Sequence, residues 1–294
     1  MIQLLQALFD GISQGGVFAV LAVGVALLSS VMSFPNFAHG WLVMWTASLT
    51  VSLSTAVPLA LALAIAIAII IAITVVAGRL TFLTGNSASS EVLMLKSLAL
   101  GLVLQAAAIL FFGDAPRLFP APAWYGGVNA IGDLRISTAS VTSLAVAIVA
   151  VGGLIALIRG TDLGLKMRAT AQNRSTAELV GVRSQRVVTT ALVIAGVMAG
   201  IAAFLWYAKA GNVSPRTGME ITMVAFVALV LGGLRSVGGA VLGGLLLGLV
   251  NAFMATYLPS QMQGLTQAFT YALLIVILIL RPDGLLQRKV VLTK

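Results

Sequence analysis

From Gly11 to Gly78 the chain carries no Asp, Glu, Lys or Arg, a run of 68 residues. At roughly 20 residues per bilayer crossing, that run has room for about three spans. The rest of the chain agrees. It is 60% apolar and only 9% charged, where a soluble domain carries about 25% charge, and its mean hydropathy is +1.09. A globular cytosolic protein is excluded, and the fold class predicted is an all-α, polytopic transmembrane helical bundle in one domain over 1–294. The N-terminal Met1 to Phe9 has no basic region, and no small-residue cleavage site follows it, so the first apolar stretch reads as a retained span and not as a signal peptide.

Spans are predicted near 5–31, 41–56, 57–77, 93–112, 139–158, 187–208, 221–234, 240–256 and 265–280. The expectation is about 8–9 crossings with broken helices, since 33–56 or 221–256 could instead be re-entrant. The first break is Ser33-Phe34-Pro35-Asn36-Phe37-Ala38-His39-Gly40. Backbone freed there is tolerated at membrane depth only when buried in protein or lining a wet cavity. Alanines at 60, 64, 68 and 72 form a small-residue stripe that would let another helix approach. Gly11 with Gly15, Gly196 with Gly200, Gly239 with Gly243, and Gly244 with Gly248 repeat that spacing. Residues 113–138, rich in Pro and Gly and holding Trp124 and Tyr125, read as an extramembrane loop.

The one long polar run is Arg159 to Arg186, with six basic and two acidic residues. Ser175-Thr176-Ala177-Glu178 has the form of a capping box, and Gly181 suits a helix stop. One or two short helices are expected there, with Leu163, Leu165, Met167, Leu179 and Val180 supplying apolar contacts. Solvated connector and docking surface both remain open from the residues alone. If the loop lies in the cytoplasm, strict alternation puts Arg79, Lys96, Arg235 and the basic tail on the same side and leaves only Arg117, Arg135, Lys209 and Arg216 outside. The positive-inside rule selects that arrangement, with the C-terminus cytoplasmic and the N-terminus extracytoplasmic. The same reading explains the net charge of +9 by orientation, with no nucleic-acid partner.

Chemistry is sparse. There is no Gly-Lys dipeptide, hence no phosphate-binding Walker loop. One histidine and no cysteine leave little for a metal site, and no cofactor is expected. No paired carboxylates lie inside a span, as an ion-coupled carrier would need. Polar residues within the spans, Gln14, Gln105, Asn251, Gln267, Thr270 and Tyr271, should face the interior as pathway residues or as interhelical hydrogen bonds. Asn36 and His39 at the break could face a substrate path or satisfy the turn's own backbone. The glycines of Val230 to Gly244 suit a sharp reversal and close helix contact.

Several segments together resemble the permease subunits of bacterial branched-chain amino acid ABC importers of the LivH/LivM type. They are Asn-Phe-Ala-His-Gly at 36–40, Leu-Gly-Leu-Lys-Met-Arg-Ala-Thr-Ala-Gln-Asn at 163–173 followed by Gly181, Val-Leu-Gly-Gly-Leu at 230–234, and Arg-Pro-Asp-Gly-Leu at 281–285. The resemblance implies a non-catalytic transport subunit of the inner membrane that pairs with a second permease. It implies two cytoplasmic ATPase subunits docked on 159–186, through Arg168, Ala169, Ala171, Gln172, Asn173 and Gly181, and an extracytoplasmic binding protein that delivers hydrophobic amino acids. Trp41 and Trp45-Thr46 around Met44 depart from the family pattern, as do Arg235 and Gly238 in the glycine hairpin. Urea, short amides or aromatic acids are alternative cargoes within the same family, and an ATP-independent carrier or channel is the alternative from another class.

Overall fold

The computed structural model describes residues 2–83, 89–131, 134–234, 236–280 and Gly284. Arg235 and most of the 281–285 motif lie outside the described residues. Among the described residues, eleven α-helices run in chain order. They are α1 (Ile2–Met32), α2 (His39–Leu53), α3 (Leu59–Gly78), α4 (Ser90–Phe112), α5 (Thr138–Gly160), α6 (Asp162–Gln172), α7 (Arg174–Leu179), α8 (Ser184–Ala210), α9 (Gly218–Gly232), α10 (Val237–Tyr257) and α11 (Thr266–Leu280). A π-helical turn, Arg79–Leu83, extends α3. Four short strands lie in the segments 113–138 and 211–217, β1 (Arg117–Leu118), β2 (Val128–Ile131), β3 (Leu134–Ser137) and β4 (Asn212–Val213), pairing as β1–β4 and β2–β3, both antiparallel.

Each predicted span corresponds to one helix. Among the described residues, seven helical segments are long and apolar enough to cross a membrane. The exceptions are α2 and α11, each of 15 residues, about 22 Å at 1.5 Å per residue and short of a hydrocarbon core of about 30 Å; α9 is no longer by itself but reaches 18 residues with the helical turn Pro215–Thr217 that leads into it. Burial separates centre from periphery. The most apolar window of α1 is 89% buried, against 22% for those of α3, α4 and α5. Around α1 pack α10, α8, α5 and α9, while Leu102, Val103, Leu110, Phe111, Ile148 and Val149 stay exposed on α4 and α5. In water such faces would be a liability; in lipid they are the required outer surface.

Glycine sets the closest approaches. A methyl on Gly15 would lie 2.8 Å from Leu245 Cα, and one on Gly248 would run into the Gly15 backbone. The Gly11/Gly15 and Gly244/Gly248 pairs therefore face each other across α1 and α10, as tight internal packing requires. In the same way Gly239 meets Gly232 and Gly243 meets Ala228 in the α9–α10 reversal. The alanine stripe of α3 corrects the expectation. Ala60, Ala64, Ala68 and Ala72 are exposed, and the buried row is Ala62, Ala66, Ile70, Thr74 and Gly78. Gly196 and Gly200 of α8 meet Ile71 and Ile67 of α3. The small residues at that contact are Gly196 and Gly200 of α8, so α3 can turn Ile67 and Ile71 to its partner while Ala60, Ala64, Ala68 and Ala72 face outward.

The break after α1 turns back into the bundle. Ser33, at φ 66°, ends α1 in the left-handed region. His39, the first residue of α2, packs on Gly24, where an added methyl would lie 2.6 Å from its Nε2. Gly24 sits eight residues before the end of α1, about 12 Å back along the helix. The irregular backbone is satisfied by protein there. The Phe37 N–H donates to Ser97 Oγ at 3.0 Å, and the Phe37 carbonyl accepts from Thr222 Oγ1 at 3.1 Å.

The two ends of the bundle segregate as the charge pattern requires. At one end the Gln6 side chain bonds the Arg135 backbone, Ser13 Oγ donates to the Ser140 carbonyl at 2.9 Å, and Arg117 pairs with Val213. At the other, Ser29 Oγ donates to the Leu234 carbonyl at 2.7 Å, Arg79 reaches Thr189, and α6 and α7 lie across the base.

Candidate functional site

At the end that holds the N-terminus of α1, five helices enclose an open cavity of about 450 Å³. Gln14 and Phe18 come from α1, Trp206 from α8, Glu220 and Val224 from α9, Leu247, Asn251 and Ala255 from α10, and Thr270 and Tyr271 from α11. Gln14 Nε2 donates to Asn251 Oδ1 at 3.3 Å, across the glycine contact of α1 and α10. The close approach allowed by Gly15 and Gly248 brings these two amides within reach. Phe18 and Trp206 form a tilted aromatic pair, centroids 6.0 Å apart, giving the cavity an apolar wall opposite its polar groups. A smaller cavity of about 220 Å³ shares Gln14, Phe18 and Trp206 and adds Lys209.

Of the pathway candidates, Gln14, Asn251 and Tyr271 come together here, with Thr270 beside them. Asn36, Gln105 and His39 do not join them. Asn36 Oδ1 accepts from the Ala38 N–H at 3.0 Å, serving its own turn. Gln105 Oε1 accepts from Trp41 Nε1 at 3.0 Å and ties α2 to α4. His39 is fully buried with neither ring nitrogen hydrogen-bonded, away from the residues lining this cavity. The side chain of Gln267 lies outside the described residues. Sequence reasoning missed Phe18, Trp206 and above all Glu220, the acidic residue in the first turn of α9. The signal for Glu220 was present, since a carboxylate opening an apolar run is costly to turn toward lipid.

At the opposite end, α6 and α7 follow each other directly and pack together. Thr161 caps α6 by accepting from the Gly164 N–H at 3.2 Å. A side chain on Gly164 would collide with the Ile158 backbone, and the Arg168 guanidinium donates to the Ile158 carbonyl. The cap of α7 is Asn173, whose Oδ1 accepts from the Thr176 N–H at 3.0 Å, and not Ser175 as the capping-box reading had it. Asparagine caps as well as serine and here occurs two residues earlier. Glu178 consequently faces Arg174 at 3.3 Å instead of reaching back to Ser175. Gly181, at φ 87°, provides the expected stop, with the Val182 N–H bonded to the Ala177 carbonyl at 3.0 Å.

Arg168, Ala171 and Gln172 line a cavity of about 520 Å³ between α6 and the bundle, with Ser30 and Val237 opposite. Gly181 lines another, of about 540 Å³, beside Lys166, Arg183 and Arg186. Ala169 is half-buried and Asn173 exposed. Met167 is buried and Leu163 packs on the core, but Leu165, Leu179 and Val180 are 58%, 87% and 75% exposed. These three apolar side chains stay uncovered among the described residues, at the end richest in charge.

Comparison with known proteins agrees with this architecture. Residues 7–278 match the family model described as branched-chain amino acid transport system / permease component. The high-affinity branched-chain amino acid transport system permease protein LivH of Escherichia coli (strain K12) is 27% identical over 97% of this chain and 96% of its own. The permease protein BraD of Pseudomonas aeruginosa, named for the same transport system, is 29% identical over the same shares. The autoinducer 2 import system permease protein LsrC of Escherichia coli O9:H4 is 30% identical over 50% of this chain and 37% of its own length. With a matched region running from the second turn of the first helix into the last one, the chain belongs to the family of branched-chain amino acid transport permease components.

Proposed function

We propose that this chain is the transmembrane permease subunit of an ABC importer in the bacterial inner membrane, moving branched-chain and other hydrophobic amino acids delivered by an extracytoplasmic binding protein. The whole of 1–294 acts as one permease domain and pairs with a second permease subunit. Two ATPase subunits dock on 159–186. The observation that carries this reading is the exposed trio Leu165, Leu179 and Val180 on the helix pair at one end, opposite an open cavity at the other. An uncovered apolar patch on a charged surface calls for a protein partner, and an open cavity calls for cargo. Since the chain holds no Walker loop, the energy enters through that partner. Nucleotide-driven movement of α6 and α7 shifts the bundle between outward-open and inward-open states, to the extent that the ATPases bind the two states differently.

The termini follow from charge. With α6 and α7 in the cytoplasm, the C-terminus is cytoplasmic and the N-terminus extracytoplasmic. The apolar wall of Phe18, Trp206, Val224 and Leu247 favours a hydrophobic side chain over urea or short amides. Affinity purification from native membranes in mild detergent tests the assembly. Recovery of an ATPase and a second permease is expected. A chain that comes alone and takes up leucine into vesicles without ATP would be a carrier or channel.

A further inference from the structure

Among the described residues that line the larger cavity, Glu220 is the charged one. It is exposed in the isolated chain, at the first turn of a helix that runs into the bundle. A carboxylate there cannot be left toward lipid at small cost, and the space it faces is the aqueous mouth of the cavity. Around it the surfaces are of two kinds. The aromatic pair Phe18 and Trp206 with Leu247 forms an apolar wall, and Gln14 and Asn251 present amides. The asparagine keeps N–H groups beyond the bond in which its oxygen accepts from Gln14. Lys209, across the Gln14, Phe18 and Trp206 boundary, supplies a positive charge at the neighbouring mouth.

We propose that the Glu220 carboxylate is the counter-charge for a substrate ammonium group, so that this cavity admits amine-bearing apolar cargo and rejects the same skeleton without its amine. The assignment rests on the reading of the chain as an amino acid permease and narrows it. A charge-assisted hydrogen bond from ammonium to carboxylate is among the stronger polar contacts and gains further strength where water is displaced. The amides of Gln14 and Asn251 then meet the substrate carboxylate, and the aromatic wall meets its side chain. Urea and short neutral amides offer Glu220 no cation, and a carboxylic acid without an amine is repelled by it.

The test uses the full chain with whatever subunits co-purify, in lipid nanodiscs, probed by leucine, by 3-methylbutan-1-amine, which lacks the carboxylate, and by 4-methylpentanoate, which lacks the amine. In the unaltered protein, 3-methylbutan-1-amine should displace bound radiolabelled leucine and 4-methylpentanoate should not. The reverse order, or no leucine binding, overturns the assignment. Glu220→Gln should weaken leucine binding by about tenfold or more, and Glu220→Asp should restore much of it. Leucine binding by Glu220→Gln equal to that of the unaltered chain would also sink the proposal. Leucine uptake by cells separates the two layers. Uptake that persists after deletion of the chain removes the permease reading itself, whereas uptake that needs the chain but proceeds normally with Glu220→Gln removes only the role of Glu220.

Discussion

Gln105 and Asp114 show how single polar residues divide between scaffold and rim. Gln105 accepts the buried Trp41 indole N–H, so Gln105→Leu should orphan that donor and cost about 1–3 kcal/mol of stability. Thermal unfolding in detergent reads this, and leucine selectivity should stay unchanged. Asp114 is bound side-on by Arg216 on the outer rim, Nε donating to Oδ1 at 2.8 Å and Nη2 to Oδ2 at 2.5 Å. That guanidinium holds the Asp114 carboxyl below the usual carboxylate range. A depressed folded pKa adds stability above the unfolded value of about 3.9, lost as pH falls through the folded value. Any advantage of the native chain over Asp114→Asn should thus appear at pH 7 and vanish in acid, as followed by melting temperature against pH. Both groups stand out in the sequence as polar residues in or beside apolar runs, but their roles do not. Gln14 finds Asn251 across 237 positions, and no periodicity announces such a pairing. Glu220 escaped notice because it stands alone at the lip of a span, where a lone acid resembles an ordinary helix-start residue.

Among the elements, the glycine-lined contact of α1 with α10 is the one with least slack. Gly248→Ala would drive a methyl into the Gly15 backbone and should cost about 1–3 kcal/mol. Gly152→Ala on α5 meets nothing within 4 Å and should be neutral or gain up to about 1 kcal/mol from helix propensity. Paired melting curves decide whether glycine matters here by contact or merely by composition. For α7, Leu179→Asp puts a charge on an 87% exposed apolar position. It should abolish transport and release the ATPase on purification while leaving membrane insertion intact. Normal uptake by that variant would remove α7 from the docking surface. Helix positions were legible because hydropathy over some twenty residues averages out local detail. The inward face of α3 was not. Its alanines and isoleucines alternate, so two opposite faces read as equally good, and the choice was made by glycines 130 residues away on α8.

At the scale of the whole molecule, the absence of cysteine makes topology directly readable. Leu118, 83% exposed at one end, and Leu179 at the other can each be replaced by cysteine without competing thiols. A membrane-impermeant maleimide applied to intact cells should label Leu118→Cys and spare Leu179→Cys; the opposite pattern would invert the orientation. Charge segregation was legible beforehand because it depends only on counting between spans. The fold-back of α2 was legible only as a break, since its depth is fixed by Gly24, Ser97 and Thr222. That fold-back bears on how the protein is made. The two side chains that satisfy Phe37 lie 60 and 185 residues downstream of it. At ribosomal rates of about 5–20 residues per second, the second arrives roughly 10 to 40 seconds after the turn has left the ribosome. Until then the Phe37 carbonyl at the α1–α2 junction lacks its partner, so this turn near the core is completed only after six further helices, α3 to α8, have been made.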